Sequence, residues 1–326
     1  MESVNVDRLD MTFQAPVRPE GLRAAARSLF RREYREIRAV EEVSFSLEAG
    51  EVVAFLGPNG AGKTTTLKML SGILHPTGGS ARVLGHVPWR REPTYLRQIA
   101  MIRGSRPLPG PTEVTVHDAL RFQQLVYDVP KPEFEQSMRE LREMLELDPL
   151  LGRQVRALSL GERMRAGLAM SLVYRPKVLF LDEPTLGLDV SAVTLMREFI
   201  ARYARQTGAT ILLTSHYMAD VDSLCERVLL IDKGRLRYDG SLANLSATLA
   251  PFKLVEVDVA DQAGVAWASF GDVVEMDGSR VRLRVTREDA AGTITRLLRE
   301  LPVSDLSIAD PPLEHVIDRV YREGVA

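Results

Sequence analysis

The chain has 326 residues, of which 45% are hydrophobic and 26% charged, so its length allows one large domain and a small one. Its formal net charge of −2 gives no reason to expect a nucleic-acid partner, and its single cysteine, Cys225, excludes an intramolecular disulfide and is typical of a reducing compartment. No apolar run approaches the roughly 20 residues that span a bilayer, and residues 1–7 lack the features of a signal peptide.

A basic insertion occupies about residues 16–38. Apolar residues recur at helical spacing over residues 22–30, and arginines repeat every four positions over residues 23–31. We predict a surface helix packed on its own domain. The alternative left open is a basic amphipathic element near lipid head groups or a membrane partner.

Residues 1–248, which include this insertion, have the pattern of an α/β domain. Short apolar runs alternate with helical stretches, as in a parallel sheet with crossover helices. Their two-sided hydrophobicity is expected of strands covered by helices on both faces. The clearest buried strands are residues 52–56, 178–181, 210–213 and 228–231. An almost purely helical subdomain is expected within this domain at about residues 105–172.

Residues 57–65 read GPNGAGKTT, which fits the phosphate-binding pattern G-x-x-x-x-G-K-[ST] between a strand and a helix. Glycines allow backbone N–H groups to turn toward phosphates. Lys63 is expected to reach the β- and γ-phosphates and Thr64 to bind Mg²⁺, with the positive end of the following helix directed at the anion. The predicted ATP-binding residues are Gly57, Pro58, Asn59, Gly60, Ala61, Gly62, Lys63, Thr64 and Thr65.

A buried strand ends in Asp182 and Glu183. Asp182 is expected beside Mg²⁺ through its water shell. Glu183 is expected to accept a proton from an attacking water or to orient it. An acidic strand end alone is a weak signal, and it gains weight from the phosphate-binding pattern earlier in the chain.

Three more motifs resemble those of the ABC ATPases. Residues 158–163, LSLGER, resemble the signature sequence, with Leu160 where glycine is commoner and Glu162 where glutamine is commoner. Residues 184–189, PTLGLD, look like the family's D-loop, and His216 closes a strand as the family's switch histidine does. The resemblance covers about residues 4–245.

The resemblance implies a P-loop ABC ATPase core that binds ATP and Mg²⁺ and forms a head-to-tail dimer around two ATP molecules. The implied catalytic residues are Glu183 and His216, and Phe13 holds the position of the adenine-stacking aromatic ring. Contacts with the partner subunit's ATP are implied for Ser159, Leu160, Gly161, Glu162 and Asp189.

A narrower resemblance is carried by residues 28–45 and 84–89, which look like bacterial exporter ATPases near the viologen and multidrug exporters. It implies an ATP-hydrolysing exporter subunit at the cytoplasmic face of the membrane, held there by separate permease subunits. The second nucleotide-binding subunit is either an identical or a different chain.

One position departs from the family. A glutamine usually ends the strand that enters the helical subdomain, whereas this sequence has Gly104 and Ser105 there, and we assign the position to Ser105. The alternatives left open are a soluble or regulatory ABC ATPase and a partly degenerate cassette paired with a more active one.

Residues 249–326 are predicted to form a small α+β domain. Strands are expected at residues 252–259, 280–285 and 303–308, and helices at residues 290–301 and 313–321. No catalytic cluster is recognisable in this sequence, so docking or regulation is its expected role.

Overall fold

The computed structural model describes residues 2–16, 34–104, 112–249, 252–260, 265–311 and 317. The chain divides into two compact units, Met1–Asp239 and Gly240–Ala326. This division falls within the strand Arg235–Ser241, ahead of the expected domain boundary at residue 248. No helix among the described residues is long and apolar enough to cross a membrane.

The described strands, in chain order, are β1 (Glu2–Pro16), β2 (Tyr34–Glu48), β3 (Val52–Leu56), β4 (Gly78–Val83), β5 (Ile99–Arg103), β6 (Val178–Asp182), β7 (Thr210–Thr214), β8 (Arg227–Asp232), β9 (Arg235–Ser241), β10 (Phe252–Val259), β11 (Asp272–Asp277), β12 (Arg280–Thr286) and β13 (Val303–Ala309). The described α-helices are α1 (Lys63–Leu70), α2 (Pro93–Leu96), α3 (Val116–Val126), α4 (Lys131–Met144), α5 (Leu160–Leu172), α6 (Val190–Thr207), α7 (Met218–Leu224), α8 (Leu242–Leu249) and α9 (Ala290–Glu300). Short 3₁₀ turns occur at Pro88–Arg90, Val155–Ala157 and Trp267–Ser269.

An antiparallel sheet of order β2-β1-β4 is built from the beginning of the chain. The predicted helix over the basic insertion is wrong for residues 34–38. These residues extend β2, with Arg38 opposite Thr12 and Tyr34 opposite Pro16. Pairing with β1 satisfies their backbone groups, and this outweighs the helical spacing of nearby side chains. Residues 17–33 of the insertion lie outside the described residues.

The second sheet carries the predicted buried strands, in the order β5-β6-β7-β3-β8-β9. Each neighbouring pair from β5 to β8 is parallel. Every residue of β6 and β7 is buried, which explains their unbroken apolar sequences. The predicted α/β architecture and its four buried strands are confirmed. Because β3, β7 and β6 are neighbours, the loops that follow them meet at one sheet edge, where ligands of such folds bind.

The predicted helical subdomain is present as α3, α4 and α5, which lie in the chain between β5 and β6. Leu120, Leu141 and Met164 are fully or almost fully buried, one on each helix. The rings of Tyr127 and Tyr174, just after α3 and α5, stack at a centroid distance of 3.7 Å. The subdomain therefore packs through its own apolar residues.

The second unit contains a four-stranded antiparallel sheet of order β11-β12-β10-β13. Alternate residues of β10 and β12, such as Val257 and Leu283, are fully buried together with Leu297 of α9. The expected strands and first helix are confirmed. Strand β11 was not predicted, and the expected helix at 313–321 lies outside the described residues except for Ile317.

Candidate functional site

The loop between β3 and α1 is shaped by glycines. A Cβ atom added to Gly57 would lie 2.3 Å from the Ile231 carbonyl oxygen. At Gly62, φ is +112°, and an added Cβ would lie 2.5 Å from the Ala39 carbonyl oxygen. Only glycine fits both places without movement of the backbone. The loop is thus a close-fitting backbone cradle at the start of a helix.

The remaining loop residues lie on the surface of this cradle or beneath it. Pro58, Asn59 and Gly60 are exposed, whereas Ala61 is buried and Thr65 is half-buried. The Ala61 N–H donates to the Pro58 carbonyl at 3.1 Å, which closes a tight turn inside the cradle.

Lys63 directs its ammonium group back across the cradle. Its Nζ donates hydrogen bonds to the Gly57 carbonyl and, at 3.1 Å, to the Pro58 carbonyl. The residue is only 6% exposed. Burial lowers the pKa of Lys63, while the negative charges of Glu183 and Asp182 raise it. A cation with so little water around it is prepared to receive phosphate oxygens.

Two hydroxyl groups meet the Asp182 carboxylate at the end of β6. The Thr64 hydroxyl donates to both Asp182 oxygens at 3.0 Å. The Thr214 hydroxyl donates to Asp182 Oδ1, also at 3.0 Å. A hydroxyl and a carboxylate are the hard oxygen ligands that Mg²⁺ accepts. With the glycine cradle and Lys63 beside them, these residues fit a magnesium-bound nucleotide.

Glu183 and His216 form a second pair beside Asp182. His216 Nε2 lies 2.9 Å from Glu183 Oε1. Glu183 has a φ of +54°, and its N–H donates to the hydroxyl of Thr214 at 3.0 Å. A left-handed conformation at a residue other than glycine is strained and persists where the surroundings hold it. The geometry thus presents a carboxylate next to an imidazole at the same sheet edge.

The end of β5 packs against the backbone of this pair. The Gly104 N–H donates to the Asp182 carbonyl at 3.0 Å. A Cβ atom added to Gly104 would lie 2.1 Å from the Glu183 carbonyl oxygen. A side chain at position 104 would therefore push Glu183 away. Ser105, the position assigned to the missing glutamine, lies outside the described residues.

The signature residues begin α5 with a reciprocal cap. The Ser159 hydroxyl accepts a hydrogen bond from the Glu162 N–H at 3.3 Å, and Glu162 Oε2 accepts one from the Ser159 N–H at 2.8 Å. Arg153 binds the other Glu162 oxygen at 2.5 Å. The Ser159 backbone and then the Arg153 side chain lower the pKa of Glu162. Leu160, between the capping residues, is 45% exposed.

Asp189 caps α6 close to the signature residues. Its Oδ1 accepts a hydrogen bond from the Ala192 N–H at 2.8 Å, and this bond is the main cause of its lowered pKa. Gly161 and Ala192 are neighbours, since a Cβ atom added to Gly161 would lie 3.4 Å from the Ala192 Cβ. Within the described part of the chain, the hydrogen bonds of Ser159 and Asp189 do not reach the cradle. Among the described residues, these two predicted site residues are therefore not hydrogen-bonded to the main cluster.

Phe13 lies on β1 opposite Ile37 and is 37% exposed. No ring contact between described residues joins it to the cradle, so adenine stacking stays a prediction for this side chain.

Thr214, which binds both Asp182 and the Glu183 backbone, is a site residue that was not predicted. Thr214 faces Asp182 in the register of β6 and β7. A hydroxyl at the end of a buried strand, one position before the Ser215-His216 pair, was the available signal. The hydroxyl reaches Asp182 because β7 is the neighbour of β6 in the sheet. The sequence of β7 alone does not show which strand lies next to it.

Comparison with known proteins identifies the same regions. Residues 40–186 match the ABC transporter family, and residues 251–309 match the C-terminal domain of EvrA-like ABC transporters. The Nod factor export ATP-binding protein I of Burkholderia thailandensis is 34% identical over 75% of this chain and 80% of its own length. The doxorubicin resistance ATP-binding protein DrrA of Mycobacterium tuberculosis is 30% identical over 86% of this chain and 88% of its own.

The fold has a counterpart among solved structures. The ATP-binding subunit of an ABC transporter superposes with a TM-score of 0.61 at 26% sequence identity. The match covers 74% of this chain and 91% of the other. The ABC ATPase core expected from the sequence is thereby confirmed.

Proposed function

The chain belongs to the ATP-binding proteins of ABC transporters, and we propose that it is the ATP-hydrolysing subunit of an exporter whose permeases are separate polypeptides. The family assignment makes the chain an ATP-binding ATPase subunit. The observation that carries the mechanism is the meeting of the glycine cradle, Asp182 and the Glu183–His216 pair at one sheet edge.

The cradle would hold the phosphates of ATP. Its backbone N–H groups and the beginning of α1 would face the anion, and Lys63 would give up its bonds to two carbonyls for the β- and γ-phosphate oxygens. Thr64 and Asp182 would hold Mg²⁺, which when bound neutralises charge on the phosphates. Phe13 would stack on the adenine ring.

Glu183 would act as the general base for hydrolysis. Its carboxylate accepts a proton from a water molecule, whose oxygen attacks the γ-phosphorus while the bond to the bridging oxygen of ADP breaks. His216, 2.9 Å from Glu183, would fix the direction of that carboxylate. The hydrogen bond from the Glu183 N–H to the Thr214 hydroxyl supports this role, because it fixes the backbone that carries the carboxylate.

A head-to-tail dimer would complete each site. The start of α5, where Ser159 and Leu160 are exposed and Gly161 is half-buried, would supply further donors to the partner's ATP. Asp189 caps the neighbouring helix and would lie in the same contact.

The helical subdomain offers a surface for a permease. A cavity of about 240 Å³ lies between it and the sheet, with Met101, Tyr127 and Tyr174 in its lining. Next to Tyr127, Phe122 and Leu125 of α3 are more than half exposed. A groove beside exposed apolar residues suits an inserted helix of a partner. In such an assembly the chain would lie at the cytoplasmic face of the membrane. The relative named for Nod factor export supports the direction of transport.

The experiment that tests this function compares phosphate release by the wild type and Glu183→Gln. The amide preserves shape but cannot accept the proton, so kcat should fall by about 100- to 10,000-fold while ATP affinity stays within a few-fold. Glu198→Gln, an exposed carboxylate change on α6, is the matched control and should hydrolyse like the wild type. Normal turnover by Glu183→Gln would refute the assignment of the base.

A further inference from the structure

A buried carboxylate lies beneath the catalytic pair. Asp220 on α7 is 1% exposed. Its Oδ2 accepts hydrogen bonds from two hydroxyls, that of Thr185 at 2.6 Å and that of Ser215 at 2.7 Å. Its Oδ1 accepts one from Arg197 Nε at 2.6 Å. A buried carboxylate needs such partners, and here three of them come from three different parts of the chain.

The two hydroxyls that donate to Oδ2 each lie close in the chain to one member of the Glu183–His216 pair. Thr185 follows Glu183 by two residues, on the loop after β6, and Ser215 immediately precedes His216, after β7. The Ser215 hydroxyl also accepts a hydrogen bond from the Tyr217 N–H at 3.0 Å, so both sides of His216 are fixed. One oxygen atom of Asp220 thus connects the loop that carries the base to the loop that carries the histidine.

Arg197 holds the carboxylate in its place. Its guanidinium extends from the middle of α6, a helix of 18 residues in which Met196 and Ile200 are buried. The connection therefore ends on a rigid element rather than on another loop. Fixing a group through a rigid support is the requirement for placing reacting atoms within a fraction of an ångström.

We propose that Asp220 is a positioning residue that clamps the loops after β6 and β7 so that Glu183 and His216 stay within hydrogen-bond distance. The inference rests on the proposed function, because it concerns the same base. Asp220 does not touch the reacting atoms; it acts through Thr185 and Ser215. Displacement of a catalytic group by about 1 Å can lower a rate about 100-fold, so release of either loop should slow hydrolysis.

The test removes the hydroxyls and leaves the Asp220–Arg197 pair intact. Thr185→Val and Ser215→Ala should each lower kcat for ATP by about 10- to 100-fold, with the KM for ATP within about threefold of the wild type. The double variant should be little slower than the slower single variant, because either loss already opens the clamp. Thr185→Ser keeps the hydroxyl and should keep most of the activity.

Two controls separate this result from a general loss of structure. Thr194→Val removes an exposed hydroxyl of α6 that donates to the Val190 carbonyl of its own helix, and it should leave kcat unchanged. Thermal unfolding of every variant identifies any that fails to fold, and if Thr185→Val does, Ser215→Ala decides the question.

Glu183→Gln in the same assay distinguishes failure of this inference from failure of the proposed function. If Glu183→Gln is active, the base itself is misassigned. If Glu183→Gln is inactive but Thr185→Val and Ser215→Ala hydrolyse ATP like the wild type, the clamp is overturned. Losses confined to KM, or losses that multiply in the double variant, would equally contradict it.

Discussion

At the scale of single residues, the charge of Glu162 distinguishes this signature sequence from the commoner one with glutamine. Glu162 caps Ser159 with one oxygen and binds Arg153 with the other. In the proposed dimer this carboxylate lies near the partner's triphosphate, where a negative charge is unfavourable. We infer that Arg153 compensates that charge.

Arg153→Met should therefore weaken ATP-driven dimerisation of a Glu183→Gln chain by about tenfold, since Glu162 is left uncompensated. Adding Glu162→Gln should restore dimerisation, because the amide can keep the cap without the charge. Arg156→Met, which removes a neighbouring arginine that bonds Gln154 instead, is the control. The measurement is the dimer fraction as protein concentration varies. If the Glu162→Gln addition gives no recovery, Arg153 acts through packing rather than charge.

Residue roles differed in how far the sequence could predict them. Lys63 and Thr64 belong to one motif and Asp182 to a second, and the two motifs occur together in the family, so their meeting could be expected although Thr64 and Asp182 are 118 residues apart. Thr214 and Asp220 could not be assigned in this way. Their contacts depend on the register of β6 with β7 and on the packing of α7, which bring together positions more than thirty residues apart.

At the scale of secondary structure elements, the end of β5 determines where the missing glutamine could be restored. Gly104 has no room for a side chain, because an added Cβ would meet the Glu183 carbonyl. Position 105 is the next one along the chain.

We predict that Ser105→Gln raises the steady-state rate of phosphate release, since the longer side chain supplies a polar group for the attacking water. Gly104→Ala should lower the rate by about tenfold or more, because it displaces Glu183. ATP affinity should change little in either variant, as the cradle is untouched. If Gly104→Ala hydrolyses ATP like the wild type, β5 and Glu183 can separate without loss of activity. If Ser105→Gln does not raise the rate, another group already orients the attacking water.

The elements that the sequence predicted well are those with a strong apolar pattern. Strands β3, β6, β7 and β8 are buried on both faces. Their unbroken apolar sequences therefore predicted buried strands. Strand β11 escaped prediction because all six of its residues are exposed, so no alternation marks it. Residues 34–38 were included in the predicted helix because the apolar residues and arginines just before them have helical spacing, yet pairing with β1 makes them a strand.

At the scale of the whole molecule, one chain carries both halves of the composite site that we propose. The cradle with Glu183 lies at the sheet edge, and the Ser159 cap begins a helix of the inserted subdomain. Two copies arranged head to tail would complete two sites, so ATP itself would join the copies. Hydrolysis would then release them, and this cycle is what would drive a permease.

The most direct test of this account is the mass of Glu183→Gln in solution, measured by light scattering with ATP and Mg²⁺, with ADP, and without nucleotide. The account predicts the 36.3 kDa monomer without nucleotide and with ADP, and a dimer with ATP. Adding Ser159→Phe, which fills the proposed contact with the partner's ATP, should return the protein to a monomer. A Glu183→Gln chain that binds ATP by titration yet remains monomeric at every protein concentration would contradict the account.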